Sequence, residues 1–89
     1  MKKAYELIEK PENWCTGALY KNKYGTVSSE DEAYSYCAAG AINTSYCRDH
    51  KVNATMRKLQ SHLKDVNLIR WNDNSDHETV YKTLKMLDI

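Results

Sequence analysis

The sequence predicts a mainly α, compact four-helix single domain, residues 1–89, with a short β-hairpin near residues 19–27 as the one departure from helix. Three observations carry that expectation. Apolar residues recur at helical spacing in separate stretches, as at Met56, Leu59 and Leu63. Two stretches read as capping boxes, Ser29-Glu30-Asp31-Glu32 and Ser75-Asp76-His77-Glu78, in which a hydroxyl and a Glu three residues on satisfy open amides. The connections between the periodic stretches are short, and none is of low complexity. A chain of 89 residues fits one domain. It buries roughly 60–65% of the surface its unfolded form exposes, so its core is thin.

The elements follow in order. Residues 2–10 read as a helix with Ala4, Leu7 and Ile8 on one face, stopped by Pro11. Residues 13–20 are too short for a clear assignment; one or two helical turns and an extended arm both fit. Thr26-Val27 pairs with Leu19-Tyr20 in the hairpin reading, around the Tyr24-Gly25 turn. The first capping box opens a helix over 30–45, with Ala33, Cys37, Gly40, Ala41 and Thr44 as a stripe of small residues. A glycine inside a helix costs roughly 1 kcal/mol relative to alanine. Close approach by bulky groups, Trp14 and Trp71, is the expected compensation, and it makes this helix central. Asn53 is the expected N-cap of a helix over 54–65, with Met56, Leu59, Leu63 and Val66 inward and Asn67 at its C-cap. Leu68-Ile69-Arg70-Trp71 alternates apolar and polar and reads as extended. The last helix spans 76–88, with Val80, Tyr81, Leu84 and Leu87 inward.

Two segments echo each other: Trp14-Cys15-Thr16-Gly17-Ala18-Leu19 and Tyr36-Cys37-Ala38-Ala39-Gly40-Ala41-Ile42. Each is aromatic, cysteine, spacer, Gly-Ala, branched aliphatic. The glycines suit close packing, and the cysteines then read as small core residues.

Net charge is +1, which excludes a global electrostatic argument for nucleic acid or an acidic partner. No apolar run is long enough for a transmembrane helix. Glu6, Glu9 and Lys10 interrupt any signal-peptide core, so the expected location is the cytoplasm, with three reduced thiols. The chain has seven Tyr, two Trp and no Phe, more aromatic rings than one thin core can bury. Tyr and Trp are enriched at interfaces, so the surplus points to binding.

Four sets of residues could carry chemistry. Cys47 and His50, joined by Cys15 and Cys37, have the donors of a zinc site, but only one close pair and none of the usual knuckle spacings; no metal is expected. Cys37 or Cys15 with His62 or His77 and Asp73 or Asn72 has the residue types of a thiol nucleophile. No local signature supports it, and Cys37 reads as mid-helix, away from the N-terminus that would lower its pKa. Arg48, Lys51, Arg57, Lys58 and Lys64, with His50 and His62, make residues 48–64 basic, Asp49 being the sole acid there. That patch suits phosphates. A solvated helix face is the commoner explanation, since Arg57, Lys58 and Lys64 fall on the polar side of the Met56-Leu59-Leu63 helix, and it is the preferred reading. Trp71-Asn72-Asp73 reads first as a turn, and second as a polar cleft lined by Asn72 and Asp73 beside Trp71 and Trp14, suited to a small planar ligand; Tyr20, Tyr24, Tyr34 and Tyr36 lie in or near the Gly-Ala segments, and some of these rings are expected in water.

The order of Trp14-Cys15-x-Gly17-Ala18, the Gly25 turn, Cys37-x-x-Gly40-Ala41, Trp71-Asn72-Asp73 and a last helix with His77, Val80 and Leu84 resembles a family of small bacterial and phage proteins of unknown function. The resemblance covers nearly the whole chain. Tyr36 stands where that family usually has Trp, and the final loop is shorter. The resemblance implies a bacterial or phage setting, where inhibition of a host defence system, by protein binding or by sequestering a small nucleotide, is the expected role.

The expectation is therefore a small non-enzymatic binding protein, a phage-encoded inhibitor acting by protein binding in the cytoplasm of a bacterial host. Its binding residues would be Trp14, Tyr36, Trp71, Asn72, Asp73, Arg48, Lys51, Arg57 and Lys58. The alternatives are a nucleotide-binding sponge using the aromatic and Asn-Asp pocket, and a small cysteine-dependent hydrolase. No cofactor is expected. The partner is a host protein or a small nucleotide; a homodimer stays open, nucleic acid is not favoured, and a membrane is not expected.

Overall fold

A computed structural model describes residues 2–89. The fold is mainly α. Helix α1 spans Ala4–Leu7, α2 Ala38–Tyr46, α3 Val52–Leu63, α4 Leu68–Asn74 and α5 His77–Met86. Two short strands, β1 (Tyr20–Lys21) and β2 (Ser35–Tyr36), pair antiparallel with Tyr20 opposite Tyr36.

Helix α2 is central, packing on α1, α3 and α4. It is built almost wholly of small side chains, and Ala38, Ala39, Gly40, Ala41, Ile42 and Ser45 are all buried. The core is one cluster: Ala4, Ile8, Ala38, Ala41, Ile42, Leu59, Val80, Leu84 and Ile89, with Trp14, Tyr36 and Trp71 half-buried against it. The close approach expected at Gly40 is real, but its partner is backbone. A Cβ on Gly40 would run into the carbonyl oxygen of Leu19 and lie 3.1 Å from the Tyr20 ring. The two Gly-Ala segments thus pack on each other.

Several boundaries differ from expectation. The first helix is short, because the chain turns at Ile8 and Pro11 opens a separate 3-10 turn, Pro11–Asn13. The Ser29 box caps only a 3-10 turn, Glu30–Glu32, with no side-chain cap bond. The chain then runs extended through β2, and α2 starts at Ala38. Its N-cap is Cys37, whose Sγ accepts from the Gly40 amide at 3.4 Å. Cys37 is therefore not mid-helix. What overrides helix over residues 33–37 is pairing: the Tyr34 amide bonds Lys21 O, the Cys37 amide bonds Leu19 O and the Cys15 amide bonds Tyr36 O.

The hairpin exists in a different register. Tyr20–Lys21 pairs mainly with Ser35–Tyr36, and only Lys21 bridges back to Val27. Asn22 closes the loop between, its Oδ1 accepting from the amides of Tyr24 and Thr26. Asn53 lies inside α3, whose N-cap is Lys51 with no side-chain bond. Val66 is exposed at 47%, since α3 ends before it. Asn67 is not a C-cap. It caps α4, accepting from the amides of Ile69 and Arg70, so residues 68–74 are helical where an extended run was expected. Gln60 fixes the α3–α4 corner by donating to Val66 O and accepting from the Leu68 amide. The cap of α5 is Asp76, one residue after the expected Ser75. Val80 and Leu84 are buried as expected, with Tyr81 and Leu87 partly so.

No helix is long and apolar enough to cross a membrane, among the described residues.

Candidate functional site

The short helix α4 exists because Asn67 caps it, and it turns Asn72 inward, where that residue is 0% exposed. A primary amide has two acceptor lone pairs and two donor hydrogens. All four are used. Oδ1 accepts from the Trp14 indole Nε1 at 2.8 Å and from the Ala38 amide, the first of α2, at 2.9 Å. Nδ2 donates to the Cys15 carbonyl at 3.1 Å and to Asp73 Oδ1 at 3.2 Å. Asp73 Oδ1 in turn accepts from the Gly17 amide at 3.0 Å. Gly17 turns the chain there with φ of +80°, a conformation costly for a residue with a Cβ.

The structure thus brings together Trp14, Asn72 and Asp73 from the predicted set, but as a knot rather than a pocket. Asn72 has no free hydrogen-bonding capacity left for a ligand. Trp71 is not part of this knot: neighbouring helical residues point about 100° apart, and it packs on the core cluster instead. Tyr36 pairs with Trp14 in a parallel bridge and meets the Tyr20 ring edge-on, centroids 6.0 Å apart. Trp14 closes the core on one side and lines a groove of about 450 Å³ on the other. The groove's other walls include Lys21, Lys23, Tyr34 and Ser35, without Trp71 or Asn72.

Burial pushes the Cys15 and Cys37 pKa values up, opposite to what a nucleophile needs. His77 is committed elsewhere. Its Nε2–H donates to the Ile8 carbonyl at 2.6 Å, and its ring stacks on Tyr81, tying the start of α5 to the end of α1. Cys47 is exposed, with its Sγ facing the Thr44 carbonyl. Among the described residues no group of three or more His, Cys, Asp or Glu could hold a metal.

Arg48 lies on the 3-10 turn Cys47–Asp49, Lys51 caps α3, and Arg57 and Lys58 lie on its exposed side. No hydrogen bond or ion pair among the described residues joins any of them to Trp14, Asn72 or Asp73.

Two features escaped the sequence. Glu30 Oε2 accepts from Thr44 Oγ1 at 2.7 Å, Asn43 Nδ2 at 3.2 Å and the Tyr20 hydroxyl at 3.3 Å, pinning the 28–34 segment to α2. No local pattern announces it, because its members come from three separate segments. The other is a loop face. Tyr24 is 79% exposed, Val27 67% and Tyr34 43%, and an open groove of about 430 Å³ lies between Tyr24 and Tyr34 with Lys23, Asp31 and Glu32. The Tyr24-Gly25 turn signal marked the tip of that loop, though not its apolar neighbours.

No curated protein and no solved structure matches the chain significantly. A family model does match over residues 1–87, which includes all the knot residues, and on that match the chain belongs to DUF6197, a family of unknown function.

Proposed function

We propose that this is a non-enzymatic binding protein that takes a protein partner on the 22–34 loop face, and that in a bacterial or phage setting it acts as an inhibitor of a host system. One observation carries the reading. Tyr24, Val27 and Tyr34 hold large apolar or aromatic surface in water on one excursion of a chain with a thin core. Tyrosine combines contact area with low conformational cost, which favours it at the centre of interfaces. The polar groups that resembled a catalytic set support the reading by being occupied: Asn72 and Asp73 hold backbone, and His77 holds Ile8.

The test is quantitative capture from host lysate by the wild type beside Tyr24→Ala/Tyr34→Ala, with folding checked by thermal melting. The reading expects a partner held by the wild type and lost by the folded double variant. Substrate turnover by the purified protein, abolished in a folded Cys37→Ser variant, would overturn it.

A second reading, sequestration of a small nucleotide, draws support from the 450 Å³ groove, where Trp14 and Tyr34 stand beside Lys21 and Lys23. Its volume falls within the range of small-ligand sites. Thermal shift with mono-, di- and cyclic nucleotides tests it; a flat panel removes it.

A further inference from the structure

The solvent side of α3 is the strongest remaining feature. Leu59 is buried on the inner side of this helix, with Val52, Met56 and Leu63 packed partly buried beside it. The outer side carries Ala54, Arg57, Lys58, Ser61 and His62, all exposed, with Lys51 and Lys64 at the two ends. There is no acid anywhere in α3. Arg48 precedes the helix and Arg70 follows it on α4, which packs against α3. Over residues 48–70, six Lys and Arg face two acids; the remaining seven Lys and Arg face ten. A chain of net charge +1 is thus divided into a basic α3 region and an acidic remainder. Among the described residues the ion pairs are Lys3–Asp88 and Lys82–Glu78, and neither involves this region.

We propose that the outer side of α3 binds the phosphodiester backbone of nucleic acid, without sequence readout. Three physical points select that occupant. Charge is complementary, and the cations are not neutralised within the protein. A helix of twelve residues presents them along about 18 Å, a span that meets several successive phosphates. None of the exposed residues of α3 itself is a large apolar one; the exposed apolar residues of the region, Val66 and Ile69, lie beyond its C-terminal end. The core of a stable protein interface is enriched in apolar and aromatic residues, and an interfacial membrane helix buries an apolar face in the bilayer. Backbone contact needs only cations and small hydrogen-bonding groups such as Ser61. This surface is separate from the loop face proposed above, so either can fail without the other.

Fluorescence anisotropy of a short labelled DNA duplex, titrated with the full chain over a range of salt, tests the inference. The expected result is sequence-independent binding at low salt, with log affinity falling against log salt at a slope of about −3 to −4. Arg57→Gln/Lys58→Gln, exposed changes that leave the melting temperature alone, should reduce that slope by about 2. Lys82→Gln/Lys85→Gln on α5 should leave it unchanged. No binding at low salt would overturn the inference, as would an equal loss in the α5 variant. So would displacement of the duplex by poly-glutamate as effective as by unlabelled DNA, which would assign the face to an acidic protein.

Discussion

The Asn72 knot and the 22–34 loop face are built from similar residue types and put to opposite use. In the knot, Trp14, Asn72, Asp73 and Gly17 are joined by hydrogen bonds that leave the amide of Asn72 saturated. In the loop, Asn22 saturates only its own turn, and Tyr24, Val27 and Tyr34 face water. The difference is one of how far the contacts reach along the chain. The knot joins residues more than thirty positions apart and buries Asn72, Cys15 and Ala38, with Gly17 and Asp73 at its exposed rim; the loop is closed by an asparagine bonding two and four residues on. Residues with chemical appeal can therefore serve assembly, while plain tyrosines beside a turn stay in water.

Asn72→Ala breaks the comparison at its most sensitive point. It leaves the Trp14 indole, the Ala38 amide and the Cys15 carbonyl without partners. An unsatisfied buried group costs about 1–3 kcal/mol, so chemical denaturation should show a loss of about 3 kcal/mol or more. A domain of this size holds roughly 5–13 kcal/mol in all, so the loss is large. Gly40→Ala comes next. The new methyl meets the Leu19 carbonyl, which is backbone and gives way poorly, and the expected cost is about 2 kcal/mol by the same assay.

Alkaline pH sharpens the comparison from the core side. Burial raises the pKa of Cys15 and Cys37 above the ordinary thiol value of 9.0 and that of Tyr20, Tyr36 and Tyr46 above the ordinary phenol value of 10.0. The unfolded chain therefore releases these protons first, and stability falls as pH rises through that range. A melting temperature that is flat from neutral pH to above 10.0 would contradict the burial assigned to these groups. The smallest effect belongs to the loop. Tyr24→Ala should change the unfolding free energy by less than about 0.5 kcal/mol, since the ring is mostly in water.

Helix class and the central place of α2 were legible because they rest on local periodicity and small-residue content. The caps were half legible. Ser29 and Ser75 have the right spacing, but the pairing of β2 with β1 holds residues 33–37 extended, and Asp76 outcompetes Ser75. The helical α4 was missed because Leu68-Ile69-Arg70-Trp71 alternates like a strand, while the cap that decides it, Asn67, was assigned to the wrong end. The Trp-Asn-Asp stretch was recognised as special, but its role depends on partners that only folding brings near: Trp14, Cys15 and Gly17 on one segment and Ala38 on another. The exposed loop face had its turn and a surplus of tyrosines in the sequence, but nothing local said which rings stay in water.

The most direct test of the central claim is hydrogen exchange at the two tryptophan indoles, followed by NMR. Trp14 Nε1–H is locked to a fully buried asparagine, whereas no such bond holds the indole of Trp71 among the described residues. The account predicts that the Trp14 indole exchanges only through global unfolding, as slowly as the amides of α2, while Trp71 exchanges much faster. Exchange of Trp14 as fast as Trp71 in the folded protein would contradict it.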